Sequence, residues 1–217
     1  MAAGPRLIIF GRQGAGKGTQ SQLLAERYSI PHISTGDMLR ASAASGSEFG
    51  RSVKAVMDAG QLVSDDLMEG VVRQRLAEPD AQGGFLLDGY PRTPAQAEFL
   101  ADLLAPEGID RAINLEVPEE VVVDRITRRR VCVDCQSIYS VGDASADTGR
   151  CDNCGGKVVQ RDDDTEDAVR RRLAVYAEQT EPLLSWFAER GALRTVDGVG
   201  APAEVAERVV EALDGEL

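Results

Sequence analysis

The chain has 217 residues, a net charge of −12, a pI of about 4.6 and 43% hydrophobic residues. That length suffices for one large core with insertions, and the acidity argues against broad binding to nucleic acid or to an anionic membrane. The N-terminal apolar run Leu7–Phe10 is too short for a signal-peptide core or a membrane span, so a cytoplasmic protein is expected.

Leu7-Ile8-Ile9-Phe10 reads as a strand. It runs into Gly11-Arg12-Gln13-Gly14-Ala15-Gly16-Lys17-Gly18-Thr19 and then an amphipathic helix over 17–28. Strand, glycine-rich loop and helix in that order define a phosphate-binding loop. Glycines let backbone N–H groups wrap an anion, the helix N-terminus adds a favourable dipole, and Lys17 supplies a mobile charge. The hydroxyl comes one residue later than in the general pattern, at Thr19 after Gly18.

A second strand is expected at 30–33. It contains His32, the only histidine, in a structural role, so a chemistry needing no histidine is favoured. Ser34-Thr35-Gly36-Asp37 then opens a helical stretch (37–45, 48–59, 65–77). Arg40 falls three residues after Asp37, on the same helix side. Residues 34–64 carry no strand and read as an insertion. The strand 85–87 ends in Asp88-Gly89-Tyr90-Pro91-Arg92-Thr93. Ligands of open α/β sheets bind at the carboxyl ends of strands. There Asp88 can organise water around Mg²⁺, Gly89 permits close approach, Arg92 can reach a phosphate, and Thr93 caps the helix 94–104. A strand at 112–117, a helix at 119–129, one helix over 164–189, a strand at 192–196 and a helix at 202–213 complete the alternation. The expectation is an α/β fold of P-loop NTPase type, a five-stranded parallel sheet with helices on both faces. Two dense arginine groups, 128–130 and 170–172, suit a small polyanion held in a cleft.

All four cysteines fall between 132 and 154, as Cys132-x2-Cys135 and Cys151-x2-Cys154. Two matched pairs at this spacing can present four thiolates to one tetrahedral ion. Four thiolates leave no open position for water, so the site is structural; zinc is assigned, and iron fits the same ligands. The residues between the pairs are small and polar. The module therefore reads as a small lobe of short strands ordered by its metal.

These residues together resemble the adenylate kinase family of nucleoside monophosphate kinases. The matching runs are Gly-Ala-Gly-Lys-Gly-Thr-Gln at 14–20, Ser-Thr-Gly-Asp-Met-Leu-Arg at 34–40, Gly-Gln-Leu-Val at 60–63, Asp-Gly-Tyr-Pro-Arg-Thr at 88–93 with Gln96, Asp-Arg-Ile at 124–126 and Arg-Asp-Asp-Asp at 161–164. The resemblance implies a CORE (1–33, 64–127 and 165–217), a helical monophosphate-binding insert (34–63) and a metal-binding LID (128–164). It further implies that Gly14, Ala15, Gly16, Lys17, Gly18 and Thr19 cradle ATP phosphates, with Arg125, Arg129, Ile138, Tyr139 and Gly200 also on ATP. AMP would be held by Thr35, Arg40, Gln61, Leu62, Val63, Gly89, Tyr90, Pro91, Arg92 and Gln96. Arg161 and Arg172 would bridge the phosphates. Lys17, Asp88, Arg92, Arg129, Arg161 and Arg172 would form the catalytic set, with Mg²⁺ accompanying ATP and a structural Zn²⁺ on the cysteines. The implied partners are ATP, AMP and ADP, with a monomeric protein and neither nucleic acid nor membrane.

Two departures stand out. Gln13 occupies a position where many members have proline, which suggests a looser phosphate-loop entrance without consequence for Lys17 or the arginines. The inter-cysteine loop is short and lacks the usual Asn-Pro-Pro. Four rivals remain at this level: a uridylate/cytidylate kinase, a GTP-using relative, a catalytically dead nucleotide sensor, which the complete set of charged groups disfavours, and a P-loop protein gripping nucleic acid with its cysteine module. The single arginine (Arg150) and single aromatic (Tyr139) between Cys132 and Cys154 disfavour the last.

Overall fold

The computed structural model describes residues 4–161 and 164–214. Met1–Ala3 and Gly215–Leu217, at the ends of the expected CORE, and Asp162 and Asp163 of the acidic run lie outside the described residues.

Five strands form the main sheet: β1 (Arg6–Phe10), β2 (His32–Ser34), β3 (Phe85–Asp88), β4 (Arg111–Glu116) and, late in the chain, a fifth (Leu193–Asp197). Every pairing is parallel, and the strand from 193–197 lies on the edge beside β4, opposite β2. β1 is central, between β3 and β4. Its near-continuous apolar sequence follows from burial on both faces. The pleat sends Ile8, Phe10 and Leu87 into one core cluster and Leu7, Ile9 and Leu86 into the other. The chain thus builds two hydrophobic layers from one sheet.

The helices are α1 (Lys17–Tyr28), α2 (Thr35–Ala44), α3 (Glu48–Asp58), α4 (Asp65–Leu76), α5 (Pro94–Leu103) and α6 (Glu119–Arg128). The α2 start falls two residues earlier than the sequence suggested, because the Ser34 hydroxyl accepts the Asp37 backbone N–H and ends β2 by capping the helix. Thr93 caps α5 in the same way, with Pro94 in the first turn.

A second sheet is antiparallel, with β5 (Arg129–Cys132) between β6 (Ile138–Ser140) and β7 (Val158–Val159). One helical turn was not anticipated there: α7 (Ala144–Thr148), closed by Gly149 in the left-handed conformation and braced by Thr148 Oγ1 on the Ala144 carbonyl. The single helix expected over 164–189 is also corrected. It is α8 (Glu166–Val175), a π-helical turn at Tyr176–Thr180, and α9 (Pro182–Glu189). Pro182 has no N–H to continue the α ladder, and the Glu181 N–H reaches back five residues to Tyr176 at 2.9 Å. The edge strand Leu193–Asp197 is β8, and α10 (Pro202–Asp214) ends the fold. No described helix is long and apolar enough to cross a membrane.

Candidate active site

A cleft of about 730 Å³ opens at the carboxyl ends of β1, β2 and β3, where the strand order reverses around β1. Every residue assigned above to either nucleotide lines it, from Gly14 on the phosphate loop to Gly200 before α10. Its volume lies in the range of ligand-binding clefts.

The phosphate loop forms one wall. Gly16 takes φ 100° at the N-terminus of α1 and no side chain caps that helix, so its first N–H groups face the cleft. Gly14 admits no side chain: a Cβ would lie 2.7 Å from Ile126 Cγ1. Lys17 Nζ donates to the carbonyls of Gly11 (2.7 Å) and Arg12 (3.0 Å). Burial lowers its pKa to about 8, Asp88 opposes that shift, and Arg92, Arg172 and Arg129 reinforce it. Burial and Arg172 likewise bring Arg92 down to about 10. Such crowding of buried cations suits the multiple charges of phosphate groups.

Asp88 ends β3 at the floor. Burial would raise its pKa, but His32, Lys17 and Arg92 outweigh burial and hold the carboxyl below its ordinary value. His32 Nε2 lies 3.5 Å from Asp88 Oδ2 without hydrogen-bonding alignment and has no hydrogen-bond partner among the described residues. The lone histidine therefore belongs to the site's electrostatics as well as to its strand.

The arginines arrive from separate elements and share carboxylates. Asp37 in the first turn of α2 contacts Arg40 directly and Arg161 at 3.7 Å. Its pKa stays low because these cations and Ser34 outweigh burial. Arg129 pairs with both oxygens of Asp164, Nε to Oδ2 at 2.8 Å, and the Asp164 side chain is fully buried. Arg125 donates to the Ala15 and Gly198 carbonyls at 3.2–3.3 Å, beside Gly16. Thr35 Oγ1 donates to the Gly89 carbonyl at 2.9 Å, and the π-helical turn adds Thr180 Oγ1 on the Arg92 carbonyl at 3.0 Å. Both bonds fix the backbone of 89–92. The Tyr90 side chain packs in the core, which leaves its backbone for the cleft.

Two residues have partners that the sequence did not show. Gln13 Nε2 donates to Asp164 Oδ1 at 3.1 Å and so joins the phosphate loop to the Arg129 ion pair. Tyr139 lines the cleft while its hydroxyl meets Cys151 Sγ (3.1 Å) and Asp152. Ile138 leans over the phosphate loop, within 3.5 Å of where a Gly18 Cβ would stand. The sequence marked Asp37 only by its spacing to Arg40 and Asp164 only as part of the run 161–164, with no role for either, and it did not single out Asp65. Asp37 had a readable signal in its i,i+3 spacing to Arg40, whereas Asp164 and Asp65 looked like any other acid of a charged run or first helical turn.

The four cysteine Sγ atoms lie within 4.8 Å of one another, and all four cysteines are free. Cys132–Cys154 and Cys135–Cys151 approach at 3.5 Å. A tetrahedron with Zn–S bonds of about 2.3 Å has edges of about 3.8 Å, so the cluster has the size of one such site. Ser137 and Asn153 hydrogen-bond to Cys135 around it.

The fold and cleft define an α/β phosphate-binding protein with a P-loop wall and an opposing arginine-lined wall. The family model described as "Adenylate kinase" matches residues 9–192. An adenylate kinase from Anaeromyxobacter sp. (strain Fw109-5) is 51% identical over 199 residues, covering 90% of this chain and 93% of that protein. One from Thermodesulfovibrio yellowstonii is 45% identical over 96% and 99%, and one from Archaeoglobus fulgidus 50% identical over 88% and 90%. The chain belongs to the adenylate kinase family.

Proposed function

We propose that the protein transfers the terminal phosphoryl group of ATP reversibly to AMP, giving two ADP. One observation supports this reading: a single cleft is lined both by the phosphate loop with Lys17 and by Thr35, Arg40, Val63 and Arg92, so two nucleotides can share it. ATP would lie along Gly14–Thr19 with its base toward Arg125 and Gly200, under Ile138 and the Tyr139 ring. AMP would lie against Gln61, Leu62, Val63, Gly89, Pro91 and Gln96, its phosphate on Arg40 and Arg92.

Phosphoryl transfer needs positioning and charge stabilisation more than covalent chemistry. An AMP phosphate oxygen attacks the γ-phosphorus in line, and the bond to the ADP leaving oxygen breaks. Lys17, Arg129, Arg161 and Arg172 offset the charge on the moving group. Asp37 and Asp164 hold three of the arginines in place beforehand. Asp88, ionised and half-buried near Lys17, suits the ordering of water on a hard divalent cation; Mg²⁺ arriving with ATP would neutralise phosphate charge there. The small sheet of 129–159 acts as the LID and the α2–α3 segment as the monophosphate insert, closing to exclude water as a competing acceptor. Zn²⁺ on Cys132, Cys135, Cys151 and Cys154 would keep the LID rigid so that it moves as one body.

The test is diphosphate formation from MgATP with AMP, CMP, UMP and GMP in turn. ADP formation with AMP alone is expected. A preference for CMP or UMP would overturn the monophosphate-site reading, and no transfer to any acceptor would overturn the proposed reaction.

A further inference from the structure

Among the described residues, the base side of the monophosphate subsite contains one buried amide whose orientation is determined by the protein. Gln96, 2% exposed, lines the cleft from the first turn of α5. Its Nε2 donates to Asp65 Oδ1 at 2.7 Å, and its Oε1 accepts the Arg92 backbone N–H at 2.8 Å. The same Asp65 carboxylate receives the Thr93 hydroxyl at 3.1 Å on each oxygen. An ionised carboxylate only accepts and a backbone N–H only donates. Rotating the amide by half a turn would set oxygen against carboxylate and N–H against N–H, so both contacts admit one orientation alone.

We propose that Asp65, a residue outside the assigned nucleotide contacts, is the specificity-determining residue for the monophosphate base, acting through Gln96. The inference rests on the reading above that Gln96 faces that base. After its two protein bonds, Gln96 has one N–H and one oxygen lone pair left, in fixed order. Adenine presents a donor at its 6-amino group, flanked by acceptors at N1 and N7. A 6-oxopurine presents an acceptor at O6 and a donor at N1–H. A glutamine free to flip reads both kinds of base equally well. A glutamine locked by Asp65 matches the 6-aminopurine and leaves unpaired groups against the 6-oxopurine, and buried unpaired polar groups are what make such discrimination large.

Inosine monophosphate is the informative competitor, because it has nearly the size of AMP and reverses only this donor–acceptor pattern. Asp65→Asn keeps the shape and an acceptor for Thr93, yet an Asn amide can meet Gln96 in either orientation. Arg92 N–H still favours the original one, so the release is partial. The ratio of kcat/KM for IMP to that for AMP should rise about tenfold in Asp65→Asn, with KM for ATP unchanged. A folding defect lowers both substrates together and leaves the ratio alone. Gln96→Ala serves as the control, and it should also raise the ratio. A ratio unchanged in Asp65→Asn but raised in Gln96→Ala would overturn the role of Asp65 while sparing Gln96 as the base reader. A ratio unchanged in Gln96→Ala would overturn both.

Discussion

Lys17 shows how a single residue carries opposing demands. Burial lowers its pKa to about 8, from 10.5 in an unfolded chain. Between those values the unfolded state binds more protons, so stability rises as pH climbs from about 8. At neutral pH the free protein carries a partly desolvated ammonium on Lys17 among other cations, a cost that bound phosphates would offset. ATP affinity should therefore fall as pH rises through about 8, measured by titration calorimetry, and the decline should flatten in Lys17→Arg, whose charge persists. A wild-type affinity that holds constant across that range would remove Lys17 from the phosphate site. Asp164 makes a second residue-scale case. It is fully buried, so Arg129→Ala strands its charge and should cost about 3–5 kcal/mol of stability as well as turnover. Gln13→Ala removes one hydrogen bond to the same carboxylate and should cost about 1.5 kcal/mol. Equal denaturant midpoints for Gln13→Ala and wild type would show that the Gln13 bond contributes nothing.

At the scale of elements, the small sheet is the part least able to stand on burial. Its cluster of buried residues is Cys132, Cys151 and Val158, with Cys135 and Tyr139 packed beside it, and three of these are metal-ligand candidates. A core that small leaves order to the ion. Chelation should lower the melting temperature in calorimetry and raise the ratio of ATP hydrolysis to AMP phosphorylation, because a collapsed LID no longer excludes water. If chelation leaves both unchanged, the cysteines are dispensable for lid order. The π-helical turn between α8 and α9 makes the same point from the opposite direction. It was hidden in a sequence that reads as one long helix, although Pro182 marks the break. The turn also carries Thr180, whose Oγ1 donates to the Arg92 carbonyl at 3.0 Å.

For the whole molecule, the cleft draws on regions far apart in the chain, among them the phosphate loop, the segment from Thr35 to Val63, the turn from Asp88 to Gln96, the strand Ile138–Ser140 of the small sheet, Arg161 and Arg172. Independent closure of the two inserts over the main sheet, as proposed above, predicts separable responses. ATP alone should slow hydrogen exchange in the LID, and AMP alone in α2 and α3. A bisubstrate analogue joining the two nucleosides through a phosphate chain should protect both. Amides of β1, β3 and β4, buried in the sheet throughout, should not change. Protection of both walls by ATP alone would contradict independent closure.

The sequence by itself determined the sheet, its main helices, the phosphate loop, the metal-ligand spacing and the side chains that line the cleft. Those features are local. Hydrophobic periodicity, caps such as Ser34 and Thr93, and glycine spacing act over a few residues, and Lys17 or Cys132 declares its chemistry by type. Only the tertiary structure decided what holds those side chains. Gln13 meets Asp164 across 151 positions, Asp65 meets Gln96 across 31, and neither carboxylate differs in sequence from its acidic neighbours. An acid becomes a partner when folding buries it beside a donor that water no longer satisfies, and that depends on geometry rather than residue type.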